Sequence, residues 1–178
     1  MKGVNYLGAA IVIAWTTPVF AANAALTPTG LGPVAIGMTP AQAEAALGTK
    51  LTPRDPSEKE SCWSAWRADG VDSAVSYMVV EGKIERIDIG IGSDGLLPPI
   101  DTEEAVGVDS SGETILLKYG LRVTVTRHPL IGNDGRYMRV VPADGAAGIL
   151  FDIRDNKVDS YRAGTVPAID WPEGCTSS

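Results

Sequence analysis

Histidine is nearly missing from this 178-residue sequence: there is one, His128, beside two cysteines, Cys62 and Cys175, and two phenylalanines. With no third soft ligand, a cysteine-based metal site is not expected. A serine or cysteine nucleophile needs a base within hydrogen-bond reach, and His128 is the only conventional one, with no Gly-x-Ser-x-Gly elbow beside it. Basic residues are also scarce. Fifteen Lys and Arg against 22 Asp and Glu give a net charge of −7, and no basic cluster stands out. That balance argues against nucleic acid or anionic lipid as a partner. Long apolar runs are absent after the first residues, so no later segment is expected to cross a membrane.

The N-terminus reads as a cleavable signal peptide, residues 1–24. Lys2 supplies positive charge, Tyr6 to Trp15 is an apolar run too short to span a bilayer, and Thr16-Thr17-Pro18 breaks it. Small residues offer cleavage after Ala21 or after Ala24. No cysteine lies near either point, so no lipid anchor is expected, and the product is expected in the periplasm or the medium. Two cysteines in an exported chain read as one Cys62–Cys175 disulfide, the alternative being two free buried thiols.

Self-comparison suggests that the chain is written twice. Thr39, Pro40 and Gln42 give an N-cap, a first-turn proline and a capping-box partner, and Gly48 gives the stop. In the second half, Asp109 or Ser110 can cap a helix over Glu113 to Tyr119 that ends at Gly120. Ala68-Asp69-Gly70 recurs as Ala143-Asp144-Gly145, and Gly82-Lys83-Ile84 corresponds to Asn156-Lys157-Val158. These turns separate alternating runs at 62–68, 73–81 and 83–91, then at 136–142, 147–154 and 157–163. Val123 and Val125 add a short strand. Ile84/Ile87 and Val158/Tyr161 break alternation at the same place, which predicts a β-bulge in each half. The expected fold is α+β: two tandem repeats (25–92 and 102–178, linker 93–101), each a helix packed on its own antiparallel β-sheet.

The order of helix and strands, with Gly37-Met38-Thr39 opening the first half, resembles exported families built on the β-lactamase inhibitory protein fold. Small outer-membrane assembly lipoproteins share one copy of it. The opening Gly30 to Thr39 (GLGPVAIGMT) and the closing Gly174-Cys175 are similar to secreted bacterial proteins of unassigned role. The resemblance implies binding of another protein; the residues themselves hold no metal-binding constellation, so no cofactor is expected. Two departures stand: the inhibitory proteins carry a disulfide within each repeat, and the assembly lipoproteins are lipid-anchored.

Chemistry is thinly signalled. Glu103-Glu104, Asp152/Asp155 and Asp88 offer carboxylates, but the sequence favours no pair for hydrolysis. Ser93-Asp94-Gly95 and Asn133-Asp134-Gly135 lack the ligand spacing of a calcium loop and read as turns. Gly90-x-Gly92 is followed by no helix, so it is no phosphate cradle. Strand alternation puts Trp63, Ala65 and Arg67 on one face and Ser64 and Trp66 on the other. A repeat shift of 74 (from 82 to 156) then aligns Trp63 and Arg67 with Tyr137 and Val141, and Ala65 with Arg139. Trp63, Arg67, Tyr137 and Arg139 are thus expected on an open face that binds a protein partner, while Trp66 goes to the core. The expected function is an exported, non-enzymatic protein-binding module, an inhibitor or envelope-associated binder. The alternatives are a small secreted hydrolase using His128 or a carboxylate pair, and a scaffolding component of the cell envelope.

Overall fold

The computed structural model describes residues 24–55, 58, 61–142 and 145–177; the leader through Asn23 and Ala143-Asp144 of the second Ala-Asp-Gly turn lie outside them. Three short strands open the fold: β1 (Leu26–Thr27), β2 (Gly30–Leu31) and β3 (Val34–Ala35), paired antiparallel in that order. Helix α1 (Pro40–Leu47) follows. Its capping box is present: the Gln42 N–H donates to Thr39 Oγ1 at 3.3 Å, and the Thr39 N–H donates to Gln42 Oε1 at 2.9 Å. Gly48 ends the helix in the left-handed region, φ 70°, at no Cβ cost.

Four strands come next: β4 (Leu51–Pro53), β5 (Cys62–Arg67), β6 (Val75–Val80) and β7 (Lys83–Ile89). Helix α2 (Gly112–Tyr119) precedes four more: β8 (Val123–His128), β9 (Gly132–Val140), β10 (Ala147–Arg154) and β11 (Lys157–Thr165). The α2 cap is Ser111, whose Oγ accepts from the Thr114 N–H at 3.2 Å, and not Asp109 or Ser110. Asp109 instead pairs with Lys157 at 2.6 Å, and the Ser110 hydroxyl accepts from the Gly107 N–H. Both tight hairpins carry positive φ at two residues, Glu81-Gly82 and Asp155-Asn156, the geometry that matches the strands' right-handed twist. Both expected bulges are present. The register slips between Met78 and Val79 opposite β7, and between Asp152 and Ile153 opposite β11.

The expected pair of helix-on-sheet repeats is not what these elements build. The described residues are mostly β, 42% strand and 16% helical, and the main strands form one eight-stranded antiparallel sheet. Its order is β4-β5-β6-β7-β11-β10-β9-β8. The joint is the pairing of β7 with β11, from Tyr161 opposite Ile89 to Gly164 opposite Arg86. A joint there closes two edges that would otherwise expose apolar strands: Ile87, Ile89 and Ala163 are fully buried. Gly164 permits the approach, because a Cβ there would meet the Glu85 carbonyl and the Arg86 backbone.

One hydrophobic cluster covers one face of this sheet. It includes Ala43 and Leu47 of α1, Ile115 and Tyr119 of α2, Leu26, Leu31 and Val34 of the small sheet, and Phe151 and Tyr161 beneath them. The opposite face is roofed by the C-terminal segment, which is tied back by the Cys62–Cys175 disulfide, Cα–Cα 5.3 Å. Among the described residues no helix is long and apolar enough to cross a membrane.

Candidate functional site

The residues expected to share one binding face do not share it. Trp63 packs against the main core and Ala65 is fully buried there, whereas Trp66, expected in the core, is 43% exposed with the Arg54 guanidinium 5.4 Å from its ring. Tyr137 and Arg139 lie on the other face, since it is their neighbours Met138 and Val140 that join the core. The cause is parity. The 74-residue shift applies after the hairpins, but β5 precedes the Ala-Asp-Gly turn, where the shift is 75 (from 68 to 143). A slip of one residue exchanges the two faces of a strand. With 75, Trp63 matches Met138 and Ala65 matches Val140, which is the burial observed.

The roles of the four residues follow from their surroundings. Arg67 forms an ion pair with Asp69 at 2.7 Å, which holds the Asp69 carboxyl below its usual range and raises the guanidinium. Arg139 forms an ion pair with Asp170 of the C-terminal segment at 3.0 Å. Arg86 Nη1 donates to the carbonyls of Ala168 and Trp171 at 3.0 and 2.8 Å, and Arg162 Nε donates to that of Ile169 at 2.6 Å. Three arginines from β7, β9 and β11 therefore hold the roof over the face expected to be open. Tyr137 is buried beneath it, with the Arg162 guanidinium 5.1 Å from its ring and His128 edge-on at 4.5 Å.

His128 is 3% exposed and fully committed. The N–H groups of Leu130 and Ile131 donate to its Nδ1 at 3.1 and 3.3 Å, which places the ring proton on Nε2, facing Asp152 Oδ2 at 3.1 Å. With both nitrogens engaged and the ring buried, His128 fixes the turn after β8 and has no lone pair free to take a substrate proton. The carboxylates also disperse. Asp152 is buried on the roofed face, Asp155 is in an exposed hairpin turn, Asp88 pairs with Arg86 at 2.9 Å, and Glu104 pairs with Arg122 at 3.2 Å. Asn133, Asp134 and Asp155 line a shallow groove with Arg136.

The surface least provided for is the β8 edge. The sheet ends in two edge strands, and the other, β4, is three residues long and finishes in proline. Beyond Pro53 the chain still satisfies β5: the Arg54 N–H donates to the Ser64 carbonyl at 2.6 Å, and the Ser64 N–H donates to Glu58 Oε2 at 2.7 Å. By contrast, β8 runs six residues without proline, and Thr124 through Arg127 are exposed. Its outer amide and carbonyl groups are therefore open to another strand. The segment from α2 that leads into it carries exposed apolar side chains, Leu117 at 83% and Leu121 at 107%, with Leu116 and, on β8 itself, Val125 about half exposed. Sequence reasoning found β8 as a strand from the Val123/Val125 alternation, but edge position depends on long-range pairing that no local pattern encodes.

Comparison with family models, with curated proteins and with solved structures gives no match for the chain.

Proposed function

We propose that this chain is an exported, non-enzymatic protein-binding module that receives an extended segment of its partner along the β8 edge. The observation that carries the reading is the exposed edge itself, which carries Val125 and is preceded in the chain by the exposed Leu117 and Leu121. Strand addition of this kind draws affinity from main-chain hydrogen bonds and specificity from alternate side chains. The site is therefore moved from the expected sheet face, which the C-terminal segment roofs, to the sheet's end. The disulfide is compatible with an oxidising compartment, periplasmic or extracellular, and the leader-like N-terminus supports export. The engagement of both His128 nitrogens supports the non-enzymatic half of the reading over a hydrolase.

The test compares wild-type protein with Leu121→Asp and Val125→Lys, two changes at exposed positions that leave the core intact. Affinity capture from the envelope of the source cell, read with amide hydrogen exchange on the recovered complex, should show β8 amides protected in the wild type. The same captured protein should be lost from both variants. Capture that is equal for all three, or protection that falls elsewhere, refutes the edge as the site.

A further inference from the structure

Two arginines face each other across β8 and β9 with an ion pair to neither, although Asp134 and Asp155 line the same groove as Arg136. Arg127 and Arg136 are register partners, and both are exposed. Among the described residues neither guanidinium has a hydrogen bond or an ion pair. Like charges directly opposite on one sheet face are unfavourable, and here they occur in a chain whose net charge is −7. Arg136 is in register with Ile153, and Val125 with Met138, so Arg127, Arg136 and Val125 share the helix-covered side of the sheet.

Resting on the edge reading above, we infer that the partner segment is acidic and patterned. It carries an Asp or Glu opposite Arg127, and apolar residues two and four positions further along, opposite Val125 and Val123. The spacing follows from the period of two in a strand: only every second residue of an added strand reaches the side that holds Arg127, Val125 and Val123. The carboxylate closes the charge imbalance between Arg127 and Arg136, and charge complementarity of this kind selects one partner over another. The intervening residues face Thr124 and Thr126, which sets a polar or β-branched preference there.

A second copy paired edge to edge through β8 does not meet the requirement. The sequence from Leu121 to Leu130 holds no Asp or Glu, so no register of β8 on β8 brings a carboxylate to Arg127. Such a pairing would place Arg127 against valine, threonine or another arginine, and would add a second set of unpaired cations to the same edge.

The probe is a phage-displayed library of random twelve-residue peptides, panned on the disulfide-intact protein, with enriched peptides resynthesised for fluorescence anisotropy. The expected result is enrichment of peptides with a carboxylate two and four residues from apolar side chains. Arg127→Glu should weaken them at least tenfold, and exchanging the peptide's acid for lysine should restore binding to that variant. Enriched peptides that lose binding to Val125→Lys but carry no acid, or ignore Arg127→Glu, overturn the acidic specification and leave the edge reading standing. No enrichment, binding unchanged by Val125→Lys, or a β8-dependent dimer in sedimentation overturns both.

Discussion

Reduction of the Cys62–Cys175 bond to two thiols tests how the roof over the second sheet face is held, because it breaks one covalent link and substitutes no residue. The bridge spans a sequence separation of 113. In the chain-entropy treatment a loop of that size constrains the unfolded chain by about 4.8 kcal/mol at 25 °C, the upper end of what one disulfide contributes. With a urea m-value near 2 kcal/mol per molar, the midpoint should fall by roughly 2 M on reduction. The native roof has its own anchors. Ile169 is fully buried, and Arg86, Arg139 and Arg162 grip the segment from three strands. The segment should therefore stay seated without the bond, and the stability lost should come from the unfolded state. Arg86→Ala discriminates. It leaves the carbonyls of Ala168 and Trp171 and the carboxylate of Asp88 without their partner, a loss of about 3 kcal/mol. If the roof remains in place, that loss is the same in oxidised and reduced protein, and the two effects add. Urea unfolding followed by tryptophan fluorescence in all four states completes the cycle. A coupling above about 1.5 kcal/mol, or a reduced protein within about 1 kcal/mol of the oxidised one, would show that the bond itself holds the roof or that the entropy argument fails.

Trp63→Ala should cost about 3 kcal/mol in chemical denaturation, and Trp66→Ala less than about 1, because Trp63 packs on the main core and Trp66 stands 43% exposed; the reverse order would reinstate the inverted faces. Burial pushes the Tyr77 and Tyr119 hydroxyls up to about 12, so the fold favours their neutral form. Unfolded tyrosine ionises near 10, so each should withdraw about 1.4 kcal/mol of stability per pH unit between about 10 and 12, read as a falling urea midpoint over that window; a flat profile would contradict the burial. N-terminal sequencing of protein recovered from periplasm or medium should begin at Ala22 or Ala25, and an intact Met1 in a cytoplasmic fraction would contradict export.

What could be read from the sequence was local. Thr39, Gln42 and Gly48 delimit α1 because a capping box and a left-handed stop act within one turn. The bulges follow from Ile84/Ile87 and Val158/Tyr161, where an apolar spacing of three is the direct trace of an extra residue. The face of β5 was legible too, once the shift of 75 from the turn that follows it is used in place of 74. The β7·β11 joint was not legible. Ile87-x-Ile89 and Tyr161-x-Ala163 look alike whether each strand ends a separate sheet or meets the other at the centre of one. The C-terminal roof was equally silent, because it has no periodicity and its grip comes from arginines far away in sequence.

The open edge is a consequence of that joint. Each four-stranded run has a first and a last strand, and pairing the two last strands, β7 and β11, leaves the two first strands, β4 and β8, at the ends. A sheet of this length must dispose of both ends or present them. At β4 the chain does so with brevity, Pro53 and the continuation through Arg54 and Glu58 onto Ser64. At β8 the devices are charge, Arg127 on the strand with Arg136 behind it, and a register slip between Arg127 and His128 that ends regular pairing. Charge blunts an edge against strands that cannot answer it, including a second β8, but it attracts one that can. On the reading proposed above, an edge guarded by unpaired cations is closed to a second β8 and open to an acidic, apolar-alternating segment.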